Sequence, residues 1–311
     1  MTERRRVRLT KPFQNGSLTA DAFLRRLRIP FQTRRIQGTL RIVVTGDMDL
    51  SGRGIQRLPK GFRDIVTGGC RLILDDNELT DLANLPRDVS QLAVCNNRLT
   101  SLADAPPKLI TLLADDNRLT GLRGCPGSVS ILSVKGNRLT DVRRAPRALK
   151  VFCAENNYIG SLKGLPATTL NLYIDNNRLI SLADAPRAAE ILSVTRNKIR
   201  SLKGMPPRAI LLTIEQNLLR GFKGAAPTLK YLFAQSNQIT SLEGLPNGMV
   251  SLAINSNPIT SLDKLPPRLN TLYVGQNPID NYAYGKVPLK FLHLGPPPGH
   301  QPERMNLRHL R

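Results

Sequence analysis

Four cysteines, Cys70, Cys95, Cys125 and Cys153, and three histidines, His293, His300 and His309, are the side chains from which this sequence could build a metal centre, a nucleophile–base pair or a disulfide framework. The cysteines are too few and too irregularly spaced for either a zinc site or a disulfide framework. All three histidines fall in the last 19 residues, far from the cysteines in sequence. Acids recur at Asp75, Asp115, Glu155, Asp175 and Glu215, but at multiples of 20 residues, the interval of a structural repeat and not of a paired-carboxylate site. No glycine-rich phosphate loop and no His-containing triad is present. The expectation is a chain without enzymatic activity, cofactor, metal or small-molecule substrate.

Cations are what the sequence has in excess. Lys and Arg number 45 against 23 Asp and Glu, a formal net charge of +22. That balance points to an acidic partner such as nucleic acid, an acidic protein or lipid headgroups. Residues 1–63 hold 15 cations and four acids, so half of the net charge sits in about a fifth of the chain. The densest run is Arg4, Arg5, Arg6 and Arg8, a basic arm of the kind that tracks nucleic acid or an acidic protein. A second concentration comprises Arg123, Arg143, Arg144, Lys163, Lys203 and Lys223, with Arg147 and Lys150 extending it. It is either a solvated face or a stripe for phosphates and carboxylates.

The elements that must carry these groups follow from one periodicity. Asn recurs every 20 residues from Asn77 through Asn277, eleven times without a slip. Five residues before it stands Leu72 and its equivalents to Leu272, with Phe152 the one exception; two residues after it stands Leu or Ile from Leu79 to Ile279. Pro returns nine times, from Pro86 to Pro206 and again at Pro246 and Pro266. A fixed short period means stacked supersecondary units that share one core. Segments such as Leu92-Ala93-Val94 suit a short strand with alternate residues turned to the core. The Asn amide at the strand end can satisfy backbone groups of adjacent turns. Twenty residues leave no room for a helix on the return path, and the regular Pro suits an extended, polyproline-like segment there.

The unit L-P-x-x-L-x-x-L-x-V-x-x-N-x-L-x-S-L resembles the leucine-rich repeat in its shortest, 20-residue form. It is similar to the repeats of effectors that Yersinia, Shigella and Salmonella inject into host cells. The resemblance covers about residues 45 to 295, and nothing long enough to be the catalytic domain of the ubiquitin-ligase members follows the repeats. It implies a leucine-rich-repeat solenoid, of the α/β superhelix class but here mostly β. Short parallel strands would line the concave face, extended segments the convex face, and a short capping helix would begin at Thr19 and stop before Pro30. The expected organisation is a basic arm and cap over 1–45, a solenoid of about 12 repeats over 46–295, and a Pro-rich basic tail over 296–311. Pro296, Pro297 and Pro298 would end the strand pattern.

Outward strand positions on the concave face include Ile131, Val151, Tyr173, Ile191, Leu211, Tyr231, Phe233, Tyr273 and Phe291. Exposed aromatic and aliphatic side chains in one area mark a protein contact, so a protein partner is expected there and an acidic protein or nucleic acid on the arm. The acids Asp75, Asp76, Asp115, Asp116, Glu155, Asp175 and Glu215 precede the Asn row, and Arg98, Arg118, Arg138, Arg178 and Lys198 follow it, the pattern of a mutually neutralising ladder. No apolar run approaches the roughly 18 to 20 residues that span a bilayer, and no apolar segment follows the charged N-terminus. Membrane insertion is not expected, and an intracellular place, in cytoplasm, nucleus or virion, is. The functional expectation is a scaffold that mediates protein–protein interaction in a larger assembly, such as a virion or ribonucleoprotein. The alternatives are a sequence-nonspecific nucleic-acid binder and an injected bacterial effector that binds host proteins.

Overall fold

A leucine five positions before the recurring Asn is the centre of nearly every strand, and the strand extends only one residue to either side of it. The computed structural model describes residues 19–279 and 291–294. Their contacts divide into two units, one holding the described residues up to Leu139 with Arg144–Leu149, the other Thr140–Arg143 and the described residues from Lys150 onward. The first unit contains helix α1 (Ala20–Arg26), the antiparallel pair β1 (Gln32–Ile36) and β2 (Thr39–Val43), and the parallel strands β3 (Met48–Asp49), β4 (Arg71–Ile73), β5 (Gln91–Ala93), β6 (Thr111–Leu113) and β7 (Ile131–Ser133). The second contains β8 (Val151–Cys153), β9 (Asn171–Tyr173), β10 (Ile191–Ser193), β11 (Leu211–Thr213), β12 (Tyr231–Phe233), β13 (Ser251–Ala253), β14 (Thr271–Tyr273) and β15 (Phe291–His293).

Within each unit neighbouring strands are parallel and leucine faces leucine: Leu72 with Leu92 in the first, Leu172 with Leu192 in the second. One backbone bond continues the ladder past each strand, as from Val94 N to Leu113 O at 2.8 Å and from Val194 N to Thr213 O at 2.8 Å. The residue just before the Asn then turns left-handed in every repeat, from Asp76 (φ 57°) through Arg196 (φ 56°) to Gln276 (φ 58°), with Gly136 among them. The turn redirects the chain away from the sheet. No α-helix occupies a return path among the described residues, and the one helical turn there, a 3-10 turn at Phe62–Asp64, falls in the longer segment between β3 and β4.

The Asn row holds these turns together. Asn97 donates through Nδ2 to Leu74 O in the preceding turn at 3.0 Å and to its own Val94 O at 3.1 Å, while its Oδ1 accepts from Leu79 N at 2.9 Å. Asn197 repeats the pattern with Ile174 O, Val194 O and Leu179 N. The core between the strands and the return path is aliphatic. In the third repeat Leu109, Leu112, Ala114, Leu119 and Leu122 are all buried, and the other repeats bury the equivalent side chains. Each fully buried leucine contributes roughly 1.5 to 3 kcal/mol, so regular small contributions replace the large aromatic residues that the sequence lacks.

Helix α1 begins after Thr19 as the sequence suggests, but the Thr19 hydroxyl donates to the Asp21 carboxylate and accepts from no helix N–H as a cap. The helix buries Phe23 and Leu24, and the Phe23 ring meets Phe62 edge-on at 5.5 Å. The hairpin β1–β2 is an element that the repeat pattern does not foretell. Its two-residue turn is Gln37 (φ 48°) and Gly38 (φ 77°), both left-handed, the geometry that matches strand twist in a tight hairpin. At the other end Leu292 keeps the 20-residue phase by pairing with Leu272, whereas Pro296, Pro297 and Pro298 lie outside the described residues.

Candidate protein-binding faces

Parallel three-residue strands about 4.8 Å apart bring equivalent side chains of successive repeats together, and this decides which concave residues stay open. The residue that follows the central leucine is closed off by its neighbours in the row. Tyr173, Phe233 and Tyr273 are therefore buried, and Phe233, Ala253 and Tyr273 form one continuous cluster. Tyr273 also stacks on His293, with ring centroids 4.4 Å apart. The sequence suggests open side chains at these three positions; row packing makes them part of the sheet surface instead. Val151 is buried as well. Ile131, Ile191 and Leu211, one residue before the leucine, are half-buried, and Tyr231 in the same row is 39% exposed. Phe291 belongs to β15, but its side chain lies outside the described residues.

What stays open is thus one row, and its longest apolar run is in the second unit. Ile191, Leu211 and Tyr231 are direct register partners on β10, β11 and β12. Asn171 precedes the run and Ser251 follows it.

The acids before the Asn row have a structural task. Asp75 Oδ1 accepts from Cys95 N at 2.7 Å, Asp115 Oδ1 from Lys135 N at 2.9 Å and from Ser133 Oγ at 2.6 Å, and Asp175 Oδ1 from Thr195 N at 2.8 Å and from Ser193 Oγ at 2.7 Å. Each of these carboxylates caps the backbone of the next repeat. Glu215 in the same row has its carboxyl pushed above the ordinary value, first by burial and then by the nearby Asp175 charge, with Arg196 and Gln235 opposing. The basic row on the other side of the Asn finds different partners from those a simple acid–base ladder supplies. Arg98 pairs with Glu78 at 3.3 Å, and the Arg178 guanidinium lies over the Tyr158 ring at 4.6 Å.

Arg123, Arg143, Arg144, Lys163, Lys203 and Lys223 are all exposed, on the stretch that leads from the sheet into the return path. Arg4, Arg5, Arg6 and Arg8 lie outside the described residues. Of the described basic residues near the N-terminus, Arg25 lies over Phe31 at 5.1 Å and Arg41 faces Asp64 at 3.7 Å. Several exposed apolar residues are not foreseen by the row pattern, among them Ile180, Ile110 and Tyr158. Ile180 stands where most repeats carry Thr or a cation, and Tyr158 where five of the eleven carry a cation; that departure is the signal that could have found these two.

Among the described residues no group of three or more His, Cys, Asp or Glu side chains could hold a metal ion. The cysteines are free thiols, and burial pushes Cys125 up to about 12, which keeps it protonated. A groove of about 520 Å³ beside helix α1 is lined by Asp21, Leu40, Lys60 and Asp64 among others. No described helix is long and apolar enough to cross a membrane.

No protein-family model matches the chain, and no curated protein matches it. Solved structures do. YopM from Yersinia pestis, a leucine-rich effector protein, is 27% identical over 80% of this chain and 83% of its own, with a TM-score of 0.56. This chain is a leucine-rich-repeat solenoid. YopM from Yersinia enterocolitica is likewise 27% identical over 81% of this chain, which spans 64% of that one, with a TM-score of 0.50. The leucine-rich-repeat domain of APL1B aligns over 92% of this chain and 87% of its own length with a TM-score of 0.69, but at 19% identity it speaks for the fold alone. No ubiquitin-ligase domain is evident among the described residues of the solenoid. Repeats of this fold typically serve as surfaces for protein–protein interaction.

Proposed function

We propose that the solenoid is a non-enzymatic scaffold that binds a protein on its concave face and acidic partners on its basic surfaces, within a larger assembly such as a virion or ribonucleoprotein. The observation that carries the reading is the open apolar run Ile191–Leu211–Tyr231 on three consecutive strands. Such a run loses water on meeting a complementary apolar surface, at roughly 25 cal/mol per Å², and a large exposed aromatic such as Tyr231 is the residue type that interfaces favour. The charge of +22 supports an acidic partner beside it. A photo-crosslinking residue at Tyr231 should give one dominant protein adduct in the source cells, and a second at the exposed Thr100 should give none. Loss of that adduct on Leu211→Asp, with an unchanged melting curve, is the expected result; equal crosslinking at both positions would exclude the concave face.

Two other readings each have one observation in their favour. The charge excess alone supports sequence-nonspecific binding of nucleic acid. The likeness to YopM supports an injected effector that binds host proteins.

A further inference from the structure

On the edge where the chain leaves the sheet, every repeat has a six-residue stretch running from the left-handed residue before the Asn to the fourth residue after it. In the stretches 76–81, 96–101, 116–121 and 136–141 the charges are Asp76, Glu78, Asp81, Asp116 and Asp141 against Arg98, Arg118 and Arg138, a net of −2. In the next five, 156–161, 176–181, 196–201, 216–221 and 236–241, they are Arg178, Arg196, Lys198, Arg200 and Arg220 with no acid at all, a net of +5. The third residue after the Asn shows the same break. It is Thr at 80, 100, 120 and 140 and again at 240 and 260, but Gly160, Ile180, Arg200 and Arg220 between them.

Packing does not account for the change. The buried Ile159, Leu179, Ile199 and Leu219 continue through it. So does the backbone ladder, from Arg178 N to Ile159 O at 2.9 Å, Lys198 N to Leu179 O at 2.8 Å and Leu218 N to Ile199 O at 2.9 Å. With about 5 Å between repeats, the ladder sets Arg178, Lys198, Arg200 and Arg220 within one patch roughly 10 to 15 Å across. None of these four is in an ion pair among the described residues. Arg196 is engaged by Gln216, to which its Nε donates at 2.6 Å. Asp184 beyond the patch accepts from Ser161 Oγ at 3.0 Å, and Asp175 is held on the backbone of Thr195. Amid the cations Ile180 is 67% exposed and Tyr158 46%, with one face of the Tyr158 ring covered by the Arg178 guanidinium.

We infer that this edge of the second unit docks an acidic protein segment, carboxylates meeting Arg178, Lys198, Arg200 and Arg220 while an aliphatic or aromatic side chain covers Ile180 beside Tyr158. The charge selects an acidic partner, and the apolar pair selects protein over nucleic acid. A phosphate chain gives Ile180 nothing to pack against, whereas an apolar side chain of a peptide does. The inference rests on the reading of the chain as a protein-binding solenoid but uses a surface separate from the Ile191–Leu211–Tyr231 run.

The repeat supplies its own conservative variants, since Thr is the residue used at this position elsewhere. Fluorescence anisotropy with the full chain compares three probes: an Asp/Glu-rich 16-residue peptide with a central Leu-Phe pair, the same peptide with Ser-Ser at its centre, and a 16-nucleotide single-stranded DNA. The wild type should bind the Leu-Phe peptide in preference to the other two. Ile180→Thr should weaken the Leu-Phe peptide several-fold and leave the other two probes unchanged, and the triple variant Ile180→Thr, Arg200→Thr, Arg220→Thr should weaken it at least tenfold with an unaltered melting curve. No binding by the wild type, equal binding of all three probes, or indifference of the Leu-Phe peptide to Ile180→Thr would each overturn the inference. Tyr231→Ala separates the two surfaces. If it abolishes peptide binding and the triple variant does not, the peptide sits on the concave face, which leaves the scaffold reading standing and removes this one.

Discussion

At the scale of single residues, the fold depends on one side chain repeated eleven times. Asn197 satisfies carbonyls of two successive turns and one N–H of the preceding repeat, all of them buried. Replacing it with Ala leaves these groups without partners and should cost about 1 to 3 kcal/mol. Thr240→Ala, on the exposed edge, should stay within about 0.5 kcal/mol of wild type. Urea unfolding of both variants measures the difference, and equal midpoints would mean that the Asn row does not secure the turns. The role of this Asn is legible in the sequence because its period never slips. The left-handed residue beside it is less so. Asp, Asn and Gly, which tolerate that conformation, occupy six of these eleven positions, yet Arg196, Gln216, Ser236, Ser256 and Gln276 adopt it as well. The turn is imposed by the bonds around it, not by the residue in it.

At the scale of the element, the sequence shows where strands are and misjudges which of their faces stay open. Alternation along a strand predicts that Tyr173, Phe233 and Tyr273 point away from the core, but it carries no information on how closely the next strand packs its own side chain against them. In a repeat that information lies across the row and not along the strand. Return paths are likewise set by closeness to the neighbouring repeat. Gly204 (φ 84°) lies so near the preceding turn that an added Cβ would come within 2.5 Å of Ala183 Cα, whereas a Cβ on Gly221 would meet nothing within 4 Å. Gly204→Ala should therefore destabilise by about 1 to 3 kcal/mol through strain and backbone collision, and Gly221→Ala should be neutral or stabilise by up to about 1 kcal/mol. Thermal melts of the two variants test this pairwise, and a neutral Gly204→Ala would show that the turn can move aside. The hairpin β1–β2 is open to the same local logic, since Gln37-Gly38 between β-branched and aliphatic residues is a tight-turn signal, but its first strand, Gln32–Ile36, is polar and mostly exposed and has no hydrophobic alternation to accompany it.

At the scale of the whole molecule, the question is whether the charge acts as a sum or by place. The stretches from 76 to 141 along the exit edge hold as many acids as are needed to offset Arg98, Arg118 and Arg138, and Arg98 is already paired with Glu78. Removing those three cations should therefore change binding to an acidic partner little, because exposed pairs contribute only about 0 to 1 kcal/mol each. The row Arg123, Arg143, Lys163, Lys203 and Lys223 has fewer acids in reach, and the repeat itself places Ala at 83, 103 and 183, so the corresponding Ala variants should fold. The arm cations Arg4, Arg5, Arg6 and Arg8 have one acid, Glu3, beside them in sequence. Three Ala variants, one for each group, compared by salt titration of binding to a single-stranded nucleic acid, separate the possibilities. The arm variant should weaken binding and lower the log–log salt slope by about 0.7 for each phosphate that is no longer neutralised, whereas the Arg98, Arg118, Arg138 variant should leave the slope where it was. If the row through Arg123 behaves like the arm, it is a contact surface; if it behaves like the paired edge, it keeps the return path solvated. A slope that falls by the same amount per cation in all three would mean that net charge alone attracts the partner, and the assignment of separate tasks to separate rows would have to be given up.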